Sequence, residues 1–242
     1  MKEISLKDLR KEMEKTQDEK RFEHTLGVAY TAAVLAMCHG EDIEKAKIAG
    51  LLHDCAKCIS DEKKIKLCQK AHMEITDVEL RNPFLLHAKA GVCLARDKFG
   101  VRDEDILNAI LYHTTGRPDM SRLEKIIYIA DYMEPSRKQA EDLPDVRRLA
   151  FQDLDLTLVR ILKDTLFYLR EKGNETDPMT QKTYDFYKNI YVVASQQNLH
   201  FQQWFKVIEL MGYDWAKDCV HVPFGLVSME DGTMSTRQGR VV

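Results

Sequence analysis

No stretch of this chain is apolar for long enough to cross a bilayer. The longest near-apolar run, VAYTAAVLAMC at 28–38, is about half the roughly 20 residues a span needs. Glycine and proline are sparse, 11 and 6 in 242 residues, which excludes collagen-like and low-complexity architectures. An excess of one charge is also lacking: 36 Lys and Arg against 39 Asp and Glu leave a net charge of -3. Such a surface does not advertise binding to nucleic acid or to a membrane, so an anionic ligand has to be met by a few placed cations or a metal. The opening residues MKEISLKDLRKEMEK are polar and amphipathic, with no secretory signal. A cytoplasmic chain is expected, with its six cysteines as reduced thiols.

What is present is the composition of a helix-rich globular protein, 44% hydrophobic and 31% charged. From residue 5 to about 170 amphipathic segments follow one another, predicting helices over 5–15, 18–38, 42–57, 60–70, 75–80, 83–98, 103–114, 121–133 and 143–171. His39-Gly40 reads as a glycine stop, and Ser121 with Glu124 as a capping box. Beyond about 184 the period changes: NIYVVAS and HVPFGLVS read as strands on either side of a helix, NLHFQQWFKVIELMG. The expected fold is mainly α, a helical bundle over 1–183 with a short α/β appendage over 184–242.

One octapeptide, LLHDCAKC at 51–58, admits two chemistries: a C-x-x-C thiol or zinc site, or a metal held by imidazole and carboxylate. Structural zinc needs a second ligand pair at short spacing, and Cys38, Cys68 and Cys93 are isolated. A thioredoxin-like pair needs a βαβ setting, which an all-α region does not provide. Histidine and aspartate are better served. His24, His53, His87 and His113 all fall on predicted helices, and His113 continues the apolar stripe of Ile106 and Ile110. Gly50, one turn before His53, leaves room for a neighbouring helix or a ligand. Asp131 lies on the apolar helix KIIYIADY, where a carboxylate is costly to bury without compensation. Any one of these is unexceptional as a core residue. Together, four inward imidazoles and two carboxylates from separate helices suit a metal site in a helical bundle, with Fe, Mn, Zn or Ni favoured over calcium.

The ordered set RFEHTLGV, AGLLHDCAK, PFLLHAKAG, ILYHTTGR and KIIYIADYMEPSR resembles the HD superfamily of metal-dependent phosphohydrolases over roughly 5–182. More narrowly it resembles the YqeK-like branch, the symmetrical bis(5'-nucleosyl)-tetraphosphatases. The resemblance implies hydrolysis of diadenosine tetraphosphate to two ADP, with iron or another divalent transition metal bound. It implies that His24, His53, Asp54 and Asp131 hold the metal, and that His87 and His113 face the phosphates or a second ion. Arg21, Lys57, Thr114 and Arg137 would then contact the nucleotide or its phosphates, and NETDPMT at 174–180 would lie near the base. Lys57 is implied both in the catalytic set and in phosphate binding. The chemistry has its own logic: a metal neutralises polyphosphate charge and ionises water, while Lys57 supplies a point cation and Arg137 a two-pronged grip. Cys55 beside an iron site would make the activity sensitive to oxidation.

Residues 184–242 resemble a different family, the part of an arginyl-tRNA synthetase that leads into its second class I signature loop, here Thr233 to Gly239. The first signature is not found, and Thr233 and Gln238 stand where lysines are expected. The chain stops three residues after Gly239, before that nucleotide-binding fold is complete, so a non-functional appended fragment is expected. The expected partners are a dinucleoside polyphosphate or ADP, with neither nucleic acid nor membrane, and a homodimer is compatible with the sequence. The competing readings are a nucleotide- or alarmone-binding sensor on the same fold and a translation-related protein built on the tail.

Overall fold

The structure, a computed structural model, describes residues 5–138, 142–173, 175–188, 190–194, 198–213, 220–224, 228–229 and 232–233. The chain divides into two compact units, Met1–Tyr184 and Asp185–Val242. The described residues of the first are helical: α1 (Leu6–Thr16), α2 (Glu19–His39), α3 (Ile43–Leu52), α4 (Asp61–Lys70), α5 (Asp77–Arg81), a 3-10 turn (Pro83–Leu86), α6 (His87–Asp97), α7 (Glu104–Leu111), α8 (Arg122–Met133), α9 (Leu143–Ala150) and α10 (Leu154–Glu171). A further helix, α11 (Pro178–Tyr187), crosses from the first unit into the second.

Local chemistry explains most of the starts. The side chains of Ser5, Asp18, Asp42, Asp103 and Asp153 each accept a main-chain N–H of the first helical turn. Thr76 with Glu79 and Ser121 with Glu124 close full capping boxes, the second as predicted. Gly40 ends α2 in the left-handed region, φ 68°, again as predicted.

α8 is the central element. Ile126, Ile127, Ile129 and Ala130 are all fully buried, so it turns a broad apolar face to its neighbours, while Arg122 is exposed and Lys125 and Asp131 are half-buried. α2, α7 and α10 pack against it, and α3 packs on α2. At that last contact a Cβ on Gly50 would stand 2.7 Å from the Cα of Ala29, so the two backbones nearly touch. The close neighbour anticipated at Gly50 is therefore α2.

Four predicted helices end early, break or change type. The segment 42–57 stops being helical at Leu52, and residues 53–58 form tight turns, with the N–H of Lys57 donating to the carbonyl of Asp54 at 2.9 Å. Lys57 therefore does not share a helix with His53. α7 ends at Leu111, leaving His113 beyond it, and the 83–98 segment changes from 3-10 to α at His87. The segment 143–171 breaks at 151–153, where Asp153 caps α10. α11 lay outside the predicted helices, inside and just after the stretch read as a late loop. Its Thr183 hydroxyl donates to the carbonyls of Thr115 at 3.1 Å and Met179 at 2.8 Å.

In the second unit β1 (Ile190–Ala194) and β2 (Val220–Phe224) pair in parallel with Ile190 opposite Val220, and α12 (Asn198–Leu210) connects them in sequence. A two-residue antiparallel pair, Ser228–Met229 with Gly232–Thr233, follows. Met234 to Gly239, most of the signature-like loop, lie outside the described residues.

Candidate metal centre

Five separate places in the first unit deliver side chains to one point. α2 supplies His24, the turn after α3 supplies His53 and Asp54, α6 begins with His87, the turn after α7 supplies His113, and the last turn of α8 supplies Asp131. All but Asp131 are buried. One ligand atom from each of His24, His53 and Asp131 lies within 4.8 Å of the others, and the same holds for Asp54, His87 and His113. The two groups adjoin: His53 Nε2 is 3.5 Å from Asp54 Oδ2 and 4.0 Å from Asp131 Oδ1, and His24 Nε2 is 3.1 Å from Asp131 Oδ1.

The orientation of the rings is fixed from behind. Nδ1 of His53 is 2.7 Å from the Gly50 carbonyl, Nδ1 of His87 is 2.8 Å from that of Phe84, and Nδ1 of His113 is 2.7 Å from that of Ile110. A carbonyl only accepts, so each Nδ1 carries the proton and each Nε2 turns a lone pair inward. Nδ1 of His24 lies 3.0 Å from Oε1 of Glu134, a residue absent from the expected set.

The inward atoms are left unsatisfied. His24 Nε2, His53 Nε2 and Asp54 Oδ1 are buried without a hydrogen bond, although buried polar atoms almost always have one. Nε2 of His87 and of His113 face each other at 3.1 Å. Lone pairs at that distance repel unless a proton or a cation stands with them. This donor set, imidazole nitrogens and carboxylate oxygens around orphaned atoms, fits a divalent transition metal.

Burial alone would raise the Asp54 carboxyl, but the imidazoles of His53, His113 and His87 outweigh it and hold the group well below its usual range. Asp131 is likewise held down, with His24 and His53 overcoming burial. His87 is pushed down to about 3, first by burial and then by His113 and Lys57, so it is neutral at ordinary pH. Burial, only partly offset by Asp54, moves Lys57 below the usual lysine value.

The expected cations surround this core. Lys57 Nζ is 3.2 Å from His87 Nε2 and 4.0 Å from Asp54 Oδ1. Arg21 reaches Asp54 Oδ2 at 2.7 Å, and Arg137 reaches Asp131 Oδ1 at 2.7 Å and its carbonyl at 3.0 Å. Thr114 Oγ stands 3.3 Å from His87 Nε2 and 3.2 Å from His113 Nε2. All ten expected site residues are thus brought together. From this centre a cleft of about 520 Å³ leads away, lined by His113, Thr114, Asp131, Tyr132, Arg137 and Tyr168 among others. Glu175 of the late loop is engaged elsewhere, gripped by Arg81 at 2.6 Å and Asn82 at 3.0 Å.

Among the described residues the thiols take no part. Cys55 is buried with Sγ 3.6 Å from the Gly91 carbonyl, whereas Cys58 is exposed, and both are free. Burial and the neighbouring Asp54 push the Cys55 thiol up to about 12, which keeps it protonated at neutral pH.

The same segment of the chain matches known proteins. A family model described as HD domain matches residues 21–136, and one described as tRNA synthetases class I (R), catalytic domain, matches 174–242. The symmetrical bis(5'-nucleosyl)-tetraphosphatase of Bacillus subtilis (strain 168) is 42% identical over 168 residues, 69% of this chain and 89% of that protein. A crystal structure from Clostridium acetobutylicum, described as a predicted HD superfamily hydrolase involved in NAD metabolism, superposes with a TM-score of 0.75 at 42% identity, covering 77% of this chain and 98% of that one. The arginine–tRNA ligase of Halothermothrix orenii is 79% identical over 62 residues, 26% of this chain but 11% of the ligase, so the tail is similar to a small part of such a protein. With similarity of this extent over the segment that holds every one of the clustered imidazoles and carboxylates, the chain belongs to the HD-domain family, in the branch of the symmetrical bis(5'-nucleosyl)-tetraphosphatases.

Proposed function

We propose that residues 1–183 form a metal-dependent hydrolase that cleaves diadenosine tetraphosphate symmetrically, adding one water to give two ADP. The observation that carries this reading is the set of buried, unpartnered atoms, His24 Nε2, His53 Nε2 and Asp54 Oδ1, converging beside Asp131. His24, His53, Asp54 and Asp131 would hold iron or another divalent transition metal, and His87 and His113 would hold a second ion or meet the phosphates. The bound metal would supply an ionised water and polarise a phosphoryl oxygen.

The chain's own residues do the rest. Lys57 offers a compact charge beside His87, and Arg21 and Arg137, at the rim, offer planar forks for phosphate oxygens. Thr114 brings a hydroxyl donor to the same edge. His87, neutral at pH 7, serves as a lone-pair donor and not as an acid. The adjoining cleft has the volume of a small-molecule site and would take one nucleoside end of the substrate. The names of the B. subtilis and Staphylococcus aureus relatives, both symmetrical bis(5'-nucleosyl)-tetraphosphatases, support this choice of substrate. A sensor without catalysis is disfavoured, because binding a nucleotide does not require so complete a set of metal donors. The part of residues 184–242 that follows α11 is proposed to be a passenger: the 11% of a ligase that the tail matches is too little to carry aminoacylation.

The deciding experiment incubates purified protein and Fe(II) with diadenosine tetraphosphate, with NAD in parallel because of the Clostridium protein's description, and resolves the products by ion exchange. ADP as the sole product from the tetraphosphate is expected. ATP with AMP would mean asymmetric cleavage and overturn the reading; tight ADP binding without turnover would favour the sensor. Asp54→Ala should abolish both metal retention and turnover.

A further inference from the structure

Three of the four site histidines find a backbone carbonyl for Nδ1 because they stand where helices stop. Gly50 and Ile110 are in the last turns of α3 and α7, whose carbonyls have no donor further along the helix, and Phe84 is in the 3-10 turn that ends where α6 begins. His24 has no such neighbour. It lies inside α2, where the carbonyls of Lys20 and Arg21 are taken by the N–H groups of His24 and Thr25. Its ring therefore needs an acceptor from another element.

Glu134, 1% exposed and just past the end of α8, fills that need with Oε1 at 3.0 Å. Its carboxylate is held from several sides. Ser136 donates its main-chain N–H to Oε2 at 2.7 Å and its hydroxyl to Oε1. Arg147 of α9 donates to the carbonyls of Met133 and Glu134 at 2.9 Å and of Arg137 at 3.0 Å, fixing the turn that presents the carboxylate. Against its other edge lies Gly27, where a Cβ would stand 2.5 Å from Glu134 Oε2. The carboxylate fits beside α2 because position 27 has no side chain.

We infer that Glu134 is the positioning residue of His24, accepting its Nδ1–H so that the Nε2 lone pair faces Asp131, and that Gly27 is glycine to make room for that carboxylate. An anionic acceptor also makes Nε2 a stronger donor than a carbonyl would, so His24 becomes a strong ligand of the set. The inference rests on the metal reading of the site given above.

The test uses the full chain, stripped with chelator and titrated with Co(II) alone. The absorption bands of bound Co(II) report coordination, and competition with a chelator gives the affinity. Glu134→Gln and Gly27→Ala should bind Co(II) about ten- to a hundredfold more weakly than the parent and with altered bands, and Glu134→Ala more weakly still. Melting of the stripped Glu134→Gln protein should match that of the parent. If Glu134→Gln and Gly27→Ala take up Co(II) with the parent's affinity and bands, the inference is overturned, whatever their melting temperatures. Should one variant fail to fold, the other decides by the same criterion. A parent protein that binds no Co(II) overturns the metal reading itself, an outcome distinct from equal binding by parent and variants.

Discussion

An imidazole presents two unlike nitrogens, and at this centre the surrounding main chain decides which one looks inward. The residue types were legible in the sequence, because histidine and aspartate on otherwise apolar stripes are expensive and so conspicuous. Glu134 was not. It stands in the polar stretch EPSR after a helix, where a glutamate has the appearance of a solvated side chain, and only the burial of that turn distinguishes it. The cysteines carry a residue-scale prediction of their own. Burial raises the Cys68 thiol from 9.0 to about 11. The folded state then holds a proton that the unfolded chain releases, so stability is full below pH 9 and falls as pH rises toward 11. Denaturant titrations should show this alkaline loss, reduced in Cys68→Ala. Iodoacetamide at pH 8 should label Cys38 and Cys58, which are exposed, while Cys55, Cys68 and Cys93 react only on unfolding, as peptide mass mapping would show.

Helices were easier to find than their ends. Periodic apolar positions mark α2, α3, α7 and α8 well, but the turn after α3 is buried and the turn after α7 buries His113, so the inward pattern continues after the hydrogen-bond ladder has stopped. Neither stop is marked by glycine or proline, the usual punctuation. Asp153, by contrast, is an ordinary N-cap signal that the long stretch 143–171 obscured. Two glycines separate steric from conformational cost at this scale. Gly50→Ala would drive a methyl against the backbone of Ala29 and push α3 off α2, at about 1–3 kcal/mol. Gly40→Ala meets nothing within 4 Å but is held at φ 68°, costing about 1–2 kcal/mol. Urea titration should find both less stable, and only Gly50→Ala should also weaken metal retention, since α3 leads directly into His53 and Asp54.

For the whole molecule, the metal-donor groups tie α2, α6, α8 and the turns after α3 and α7 to one point. A ligand that binds only the folded state stabilises it by mass action, about 2.7 kcal/mol at a hundred times its dissociation constant. Chelator should therefore lower the melting temperature of the metal-loaded protein, and added Co(II) should restore it. Removing residues 189–242 should leave turnover unchanged. A cut at 183 would instead divide α11 next to Thr183, which bonds Thr115 beside the centre, and is expected to reduce both stability and activity. The tail was legible as a fragment from its own motifs, whereas α11 was missed because the polar loop before it hid its start.

The order of the ligands along the chain has a consequence for synthesis. Every metal-donor side chain of the centre lies between His24 and Asp131, and the synthetase-like segment comes after all of them. A ribosome releases the N-terminal part of a chain first, so that part can begin to fold while later residues are still being added. The centre can thus begin to assemble before the synthetase-like segment exists to compete with it. An extension of the same length placed ahead of residue 1 would be present throughout that assembly, so gene fusions at this end should be tolerated more readily than fusions at the other.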